Sequence, residues 1–333
     1  RTLMAAPVRP APPDATAPRL SVQVVTWNSA DVLDACLASL HAQTSPAMEV
    51  IVVDNASTDG SAEVAERWFA RGLPGTLRRE SGNTGFCAAQ NRALEISSGD
   101  WVLFLNPDAE LPADFVERAL AVVDALPPDV GTVAPLILLP DGRVDSTGIV
   151  VDRFGRAYDR GRGEPSADRY RSEEDVPACT GAAALHRREM LQDVAVGGLA
   201  LDENLFAYYD DLDLSWRARL RGWRCRYVPA LVARHRRAGR NSLRAMADRP
   251  SRGSEQALTV RNRYLVMAKC ERFRDLLGAL PWLVPFELAR PLFLAWNAPG
   301  ALRGYALAAR GLPEALRQRR VIQAGRGTRR GPR

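Results

Sequence analysis

The sequence predicts an α/β fold: a mostly parallel central sheet with helices on both faces, plus a C-terminal helical extension. Three observations predict it. Short β-branched runs alternate with segments whose apolar residues recur at helical spacing. Three of the runs stop abruptly in polar clusters, at Asn28, at Asp54 and at Asn106-Pro107-Asp108. The segment 276–296, LLGALPWLVPFELARPLFLAW, is strongly apolar yet broken by proline and charge. Alternating strands and helices build parallel sheets covered on both faces. Ligands of such sheets bind beyond the carboxyl ends of the strands. A parallel arrangement therefore gathers the three polar clusters on one edge.

Taken in order, residues 1–19 are rich in Pro and Ala and read as disordered, with no secretory leader. LSVQVVTWN, 20–28, is the first strand. ADVLDACLASLHAQ is a helix, because Leu33, Cys36, Leu37 and Leu40 share a face. MEVIVVD is the second strand, and it closes in Asp54 and a turn rich in Asn, Ser, Asp and Gly. AEVAERWF reads as helix. TLRRESGNTGFCAAQNRALEISS divides into a weak strand, a glycine loop and a helix. WVLFL, 101–105, is a buried strand. Residues 141–178 are charged and weakly periodic, and read as a hairpin or flap rather than core. PACTGAAALHRREML restores a strand and then a helix. In LFAYYDDLDLSWRARLRGW, Leu212, Trp216 and Leu220 mark the apolar stripe of another helix. RYVPALVARH is a strand ending at His235.

The bulk composition bounds the partners. The chain has 333 residues, 46% apolar and 25% charged, enough for a sizeable core. Its net charge is +6, but residues 317–333 carry seven arginines and no acid, which leaves the rest at −1. A near-neutral body argues against nucleic-acid binding, which needs basic residues spread over the fold. A basic tail suits anionic lipid or disorder. Five cysteines, none in a C-x-x-C pair, read as free thiols in a reducing, cytoplasmic compartment. Neither G-x-G-x-x-G nor a P-loop occurs, which weakens a dinucleotide or ATPase reading.

Asp210, Asp211 and Asp213 crowd the first turn of their helix. One acid would satisfy the helix dipole; the surplus points to a function. At a helix N-terminus these carboxylates are expected to keep a low pKa and stay ionised, ready to accept a proton. His235 gains meaning only if a carboxylate stands beside it.

Together the segments VVTWNSADVLDACLASLHAQ, VIVVDNASTDGS, GNTGFCAAQNRAL, LFLNPD, TGAAALHRREM and FAYYDDLDLSWRARLRGW resemble, in order and spacing, family 2 glycosyltransferases, and within them bacterial rhamnosyltransferases. The resemblance covers about residues 20–240. It implies a GT-A fold and inverting transfer of a sugar from a nucleoside diphosphate to a hydroxyl. It implies a nucleotide-binding half, 20–135, and an acceptor-binding half, 136–240, followed by a helical segment at 241–316 and the basic tail. By resemblance, Thr26 and Asn28 meet base and ribose, and Asp54 accepts from the pyrimidine N–H. Asn83, Gly85 and Asn91 close over nucleotide and sugar, and Thr180, Gly181 and Asp210 contact substrate. Asp211 is the catalytic base. Asn106-Pro107-Asp108 stands for the Asp-x-Asp metal motif, with Asn106 on the substrate side. Asp108 and His235 hold a divalent cation, Mn²⁺ or Mg²⁺. Asn106 in place of the first Asp removes a charge, as the rhamnosyltransferase subgroup also does.

The resemblance extends to partners: a nucleotide-sugar donor, dTDP-β-L-rhamnose by subgroup, and a glycan or polyprenyl-diphosphate-linked acceptor. The segment 276–296 is too interrupted to span a bilayer. Two readings stand: a packed helical cap, or an interfacial anchor at the cytoplasmic face of an anionic membrane. Oligomeric state is open. Rival readings are a UDP-hexose-using relative, a non-catalytic sugar-nucleotide-binding module and a nucleotidyltransferase. The last would show a Lys-containing glycine loop after the first strand, which TWNSADVLDACL does not.

Overall fold

A computed structural model of the chain describes residues 18–237, 252–325 and 327. Of residues 1–19, read as disordered, 1–17 lie outside the described residues, as does most of the basic tail beyond Ala324, while Arg19 is ordered, its N–H donating to Ala47 O at 3.2 Å.

The core is one sheet whose strands lie in the order β10-β12-β6-β11-β4-β1-β2-β3. β1 (Leu20–Thr26), β2 (Met48–Asp54), β3 (Gly75–Arg79) and β4 (Trp101–Leu105) run parallel. Every side chain of β1 and β4 is buried, as a doubly covered parallel strand requires. Side chains of β4 alternate between two cores. Trp101, Leu103 and Leu105 face α1 (Ala30–His41), α2 (Ser61–Ala70) and α4 (Phe115–Ala125). Val102 and Phe104 face the core that holds α5 (Arg188–Asp193) and α6 (Asp210–Arg221). α3 (Phe86–Ile96) packs Ala89 and Ala93 against Val25, Ile51 and Val53.

Three registers bring distant segments to one edge. Thr26 pairs with Asp54, so the loops after β1 and β2 emerge side by side. β11 (Ala183–Arg187) runs antiparallel to β4, with Ala183 opposite Leu105, so its preceding turn sits beside the end of β4. The Asn106 backbone N–H donates to Ala182 O at 3.0 Å. β12 (Arg224–His235) runs parallel to β6 (Val130–Leu138), and its last residue pairs with Ala109 of β5 (Ala109–Glu110), just after Asp108. β6 runs across position 135, so both halves share one sheet.

Two sequence expectations are corrected. Residues 141–178 are not all flap. β7 (Val144–Ser146) joins the main sheet beside β6, and Asp145, Ser146 and Thr147 are fully buried. Only the hairpin of β8 (Ile149–Val151) and β9 (Ala157–Asp159) stands apart; β10 (Glu174–Val176) is an edge strand on β12. The basic C-terminal stretch is also partly structured. After α7 (Arg252–Cys270) and α8 (Phe273–Asn297), α9 (Arg303–Ala324) continues through 317–324. There Arg319 Nη1 donates to Ala268 O and Glu271 O, at 2.9 and 2.7 Å.

Candidate active site

The sheet edge opens into a cavity of about 820 Å³. Ten residues singled out from sequence line it: Asn28, Asn83, Gly85, Asn106, Asp108, Thr180, Gly181, Asp210, Asp211 and His235. Three do not. Thr26 and Asp54 are buried just behind the wall, at 0% and 3% exposure. Their Oγ1 and Oδ1 atoms have no hydrogen-bond partner among the described residues, a costly state for a buried polar atom. Asn91 is turned to another task. Its side-chain amide donates to Leu201 O at 2.9 Å and accepts from Leu201 N at 3.0 Å, tethering α3 to the loop before α6. In this structure Asn91 is a buried strut outside the cavity lining.

Asn55, which the sequence reading passed over, lines the cavity. Its Nδ2 donates to Asn83 Oδ1 at 3.0 Å and to Gly85 O at 3.2 Å, and its Oδ1 accepts from Thr84 N at 2.9 Å. It thus ties the loop after β2 to the glycine loop. Asn28, at φ +50°, accepts from Thr58 N at 2.8 Å. Gly85 has φ +87°, and a Cβ there would stand 2.5 Å from the Phe206 ring, so only glycine fits.

One wall is a chain of charges. Asp108 Oδ1 lies 3.1 Å from His235 Nε2, and Asp145 Oδ2 lies 2.8 Å from His235 Nδ1. Arg237 bridges Asp145 Oδ1 and Asp159 Oδ2, at 2.6 and 2.7 Å. Burial alone would lower the His235 pKa, but hydrogen bonds and proximity to Asp108 and Asp145 hold it up to about 9. The ring therefore favours positive charge where the sequence placed a cation. Asp145 and Asp159 were missed because charged residues in a loop-rich stretch read as surface, and Arg237 because it lies just past the end of a strand. Among the described residues, no group of three or more His, Cys, Asp or Glu side chains forms a complete metal cage.

Another part of the lining is the start of α6. Its approach is strained: Phe206, Tyr208 and Tyr209 all have positive φ, at +66°, +72° and +65°. Phe206 centres a tight three-residue turn, with Ala207 N donating to Leu205 O at 2.8 Å. Such backbones cost about 1–3 kcal/mol each and persist only when held. The holder is Asn262 of α7, fully buried, whose Nδ2 lies 2.7–2.9 Å from the carbonyl oxygens of Leu205, Ala207 and Tyr208. The sequence signal for it was a lone Asn on the buried face of a helix.

The three acids of α6 divide. Asp213 is buried in an ion-pair network with Arg217 at 2.9 Å and Lys269 at 2.7 Å. Asp210 and Asp211 line the cavity. Asp211 Oδ2 accepts from Gly181 N at 3.4 Å, and its Oδ1 accepts from its own helix at Leu212 N, 2.8 Å. The expected low pKa is corrected. Burial raises both carboxyls, and the negative charge of Asp210 raises Asp211 further, outweighing the helix N–H groups. A carboxylate so raised is a better base than an ordinary one.

Comparison with known proteins supplies context. The family model for glycosyl transferase family 2 matches residues 21–195. The N-acetylglucosaminyl-diphospho-decaprenol L-rhamnosyltransferase of Mycobacterium tuberculosis is 30% identical over 250 residues, 66% of this chain and 76% of that protein. Among solved structures, the mannosyltransferase PcManGT from Pyrobaculum calidifontis, in complex with GDP-Man and Mn²⁺, matches with TM-score 0.54 at 23% identity, covering 93% of this chain and 86% of that one. S. aureus TarS 1-349 in complex with UDP-GlcNAc matches with TM-score 0.57 at 17% identity, covering 92% and 88%. At these identities the structural matches establish the architecture, which is GT-A.

Proposed function

This chain belongs to glycosyl transferase family 2, and from that premise we propose that it transfers L-rhamnose from dTDP-β-L-rhamnose, with inversion, to a hydroxyl of a polyprenyl-diphosphate-linked glycan precursor at the cytoplasmic membrane face. The observation that carries the reading is one cavity with the raised acid Asp211 on one wall and the Asp108–His235 pair on another.

The donor end follows from burial. The orphaned Asp54 Oδ1 suits the N–H of a pyrimidine base, and uracil and thymine serve equally. Asn28, Asn55 and Asn83 fix the two loops that would enclose ribose and diphosphate. The rhamnose donor and lipid-linked acceptor are supported by the mycobacterial relative, which bears that activity in its name.

A divalent cation fits the Asp108–His235 pair by displacing the Nε2 proton of His235. Asp145 holds Nδ1 and turns Nε2 toward Asp108, as the carboxylate behind a metal-binding histidine does. A carboxylate oxygen and an imidazole, with diphosphate oxygens completing the shell, suit Mn²⁺ or Mg²⁺. When bound, the ion supplies Lewis-acid stabilisation of the departing nucleoside diphosphate. The remaining chemistry belongs to side chains. Asp211 takes the acceptor hydroxyl proton as that oxygen attacks the anomeric carbon, worth ~10²–10⁴ in rate. Asp210 keeps Asp211 basic. A single base with no protein nucleophile gives one displacement and hence inversion.

The test is nucleotide release with dTDP-rhamnose, UDP-glucose, UDP-galactose and GDP-mannose, using a lipid-diphosphate-sugar acceptor. Release is expected to be fastest with dTDP-rhamnose, to stop in excess EDTA and to return with Mn²⁺. Faster turnover with another donor replaces the sugar assignment; full activity in EDTA removes the cation.

A further inference from the structure

α8 turns most of its large apolar side chains to solvent. Phe273, Leu288, Leu292 and Phe293 are 69, 71, 75 and 63% exposed, and Trp296 is 89% exposed. An apolar face of this extent marks an interaction surface. By length and composition α8 could cross a membrane, but its other face is pinned to the body. Glu287 accepts from the Tyr264 hydroxyl and pairs with Arg263 Nη2 at 2.7 Å. Phe286 stacks on Phe154 with ring centroids 4.7 Å apart, and the Arg153 guanidinium lies 4.7 Å from the centre of the Trp282 ring. A crossing helix would sever all of these contacts. α8 therefore lies along the body with one apolar side outward.

Charge identifies what covers that side. Among the described residues, 255–325 hold eleven Arg and Lys against five Asp and Glu, a net charge of +6. A second copy would bring the same positive region to a symmetric contact. Anionic headgroups complement it. We propose that the outward face of α8, with its basic surroundings, seats the protein on the surface of an anionic phospholipid bilayer, beside the mouth of the catalytic cavity. This deepens the lipid-linked acceptor reading and takes its purpose from it, but the binding itself does not depend on that reading.

Two elements connect seat and cavity. Glu255, Leu258 and Thr259 of α7 line the cavity, while Tyr264 and Met267 of the same helix line an apolar groove of about 600 Å³ beneath α8. Thr259 and Met267 are about 12 Å apart along the helix at 1.5 Å per residue. The β8–β9 hairpin repeats the pattern: Tyr158 and Asp159 line the cavity, and Phe154 at its turn stacks on α8.

The test is sedimentation of the full chain with phosphatidylglycerol or phosphatidylcholine vesicles, with light scattering of the unbound fraction. The wild type should pellet with phosphatidylglycerol, and at least about tenfold less with phosphatidylcholine or in about 0.5 M salt. Leu288→Glu combined with Leu292→Glu, both highly exposed, should lose at least about tenfold of the binding with an unchanged melting curve. Equal pelleting of variant and wild type overturns the proposal, as does equal pelleting with both lipids. So does a wild type that stays in solution as a dimer the variant dissociates, which would make the face a self-association surface. No donor, acceptor or cation enters this assay. Failure to pellet leaves the transferase reading standing, and an inactive enzyme that still pellets leaves the seat standing.

Discussion

Asp211 concentrates the conflict between stability and chemistry. Its carboxyl is raised by burial first and by Asp210 second, so the folded state disfavours the charge that the proposed proton transfer needs. Asp211→Asn should lower turnover at least ~10²-fold while leaving donor affinity nearly intact. The same change should stabilise the protein. The folded pKa of Asp211 lies above its unfolded value, so the penalty is absent below the unfolded pKa, grows as pH rises toward the folded one, and is complete above it. Melting of Asp211→Asn should therefore match wild type near pH 4 and exceed it by ~1 °C or more at alkaline pH. Wild-type turnover in the variant would reassign the base; an unchanged melting profile would remove the buried charge from the account. Asp210→Asn tests the neighbour. With that negative charge gone, the rise of turnover with pH should move to lower pH, since the two carboxyls titrate as a pair. A profile with the same midpoint in both proteins would mean that Asp210 does not tune Asp211.

At the scale of elements, the start of α6 is placed by a helix remote in sequence. Nothing local favours left-handed backbone at Phe206, Tyr208 and Tyr209, none of them glycine. The Asn262 amide reaches three carbonyls of that turn, and Arg261 Nη2 donates to Asn204 O at 2.6 Å. Asn262→Ala leaves buried carbonyls without donors, each worth about 1–3 kcal/mol, so urea unfolding should show a loss on the order of 2–4 kcal/mol. Because the same turn fixes Asp210 and Asp211, turnover should fall while binding of the nucleotide alone persists. An Asn262→Ala protein with wild-type stability would show that the turn holds itself.

For the whole molecule, the C-terminal helices are structural as well as peripheral. Lys269, the only lysine, is fully buried between Asp202 at 2.5 Å and Asp213 at 2.7 Å. Gln318 of α9 donates to Asp202 at 3.1 Å, which closes the network. α7 is thus bonded to α6 through Lys269, and α9 joins the same network through Asp202. Lys269→Met should destabilise by about 3–5 kcal/mol, because it strands two buried carboxylates. Adding Asp213→Asn should recover part of that loss. Equal stability of Lys269→Met and wild type would make the helices a mere appendage.

The sequence by itself marked β1 to β4, their parallel arrangement and the polar edge, but neither β6 nor the order of strands in the sheet. Apolar period and turn chemistry are local properties, legible over a few residues around Asn28, Asp54 and Asp108. It also marked Asp211 and His235, because surplus acid at a helix start and a histidine at a strand end are local oddities. Only the tertiary structure decided which polar residues serve the cavity and which serve the frame. Asn55 and Asn91 look alike in sequence, yet one ties the cavity loops and the other braces Leu201. Asp145 reads as surface, yet it is wholly buried between His235 and Arg237, some ninety positions later. Asp213 and Asp211 stand two residues apart and part company because Lys269 meets only the first. The physical reason is common to all of them. The cost of burying a polar group depends on the partner that meets it, and these partners arrive from distant parts of the chain that local pattern does not register.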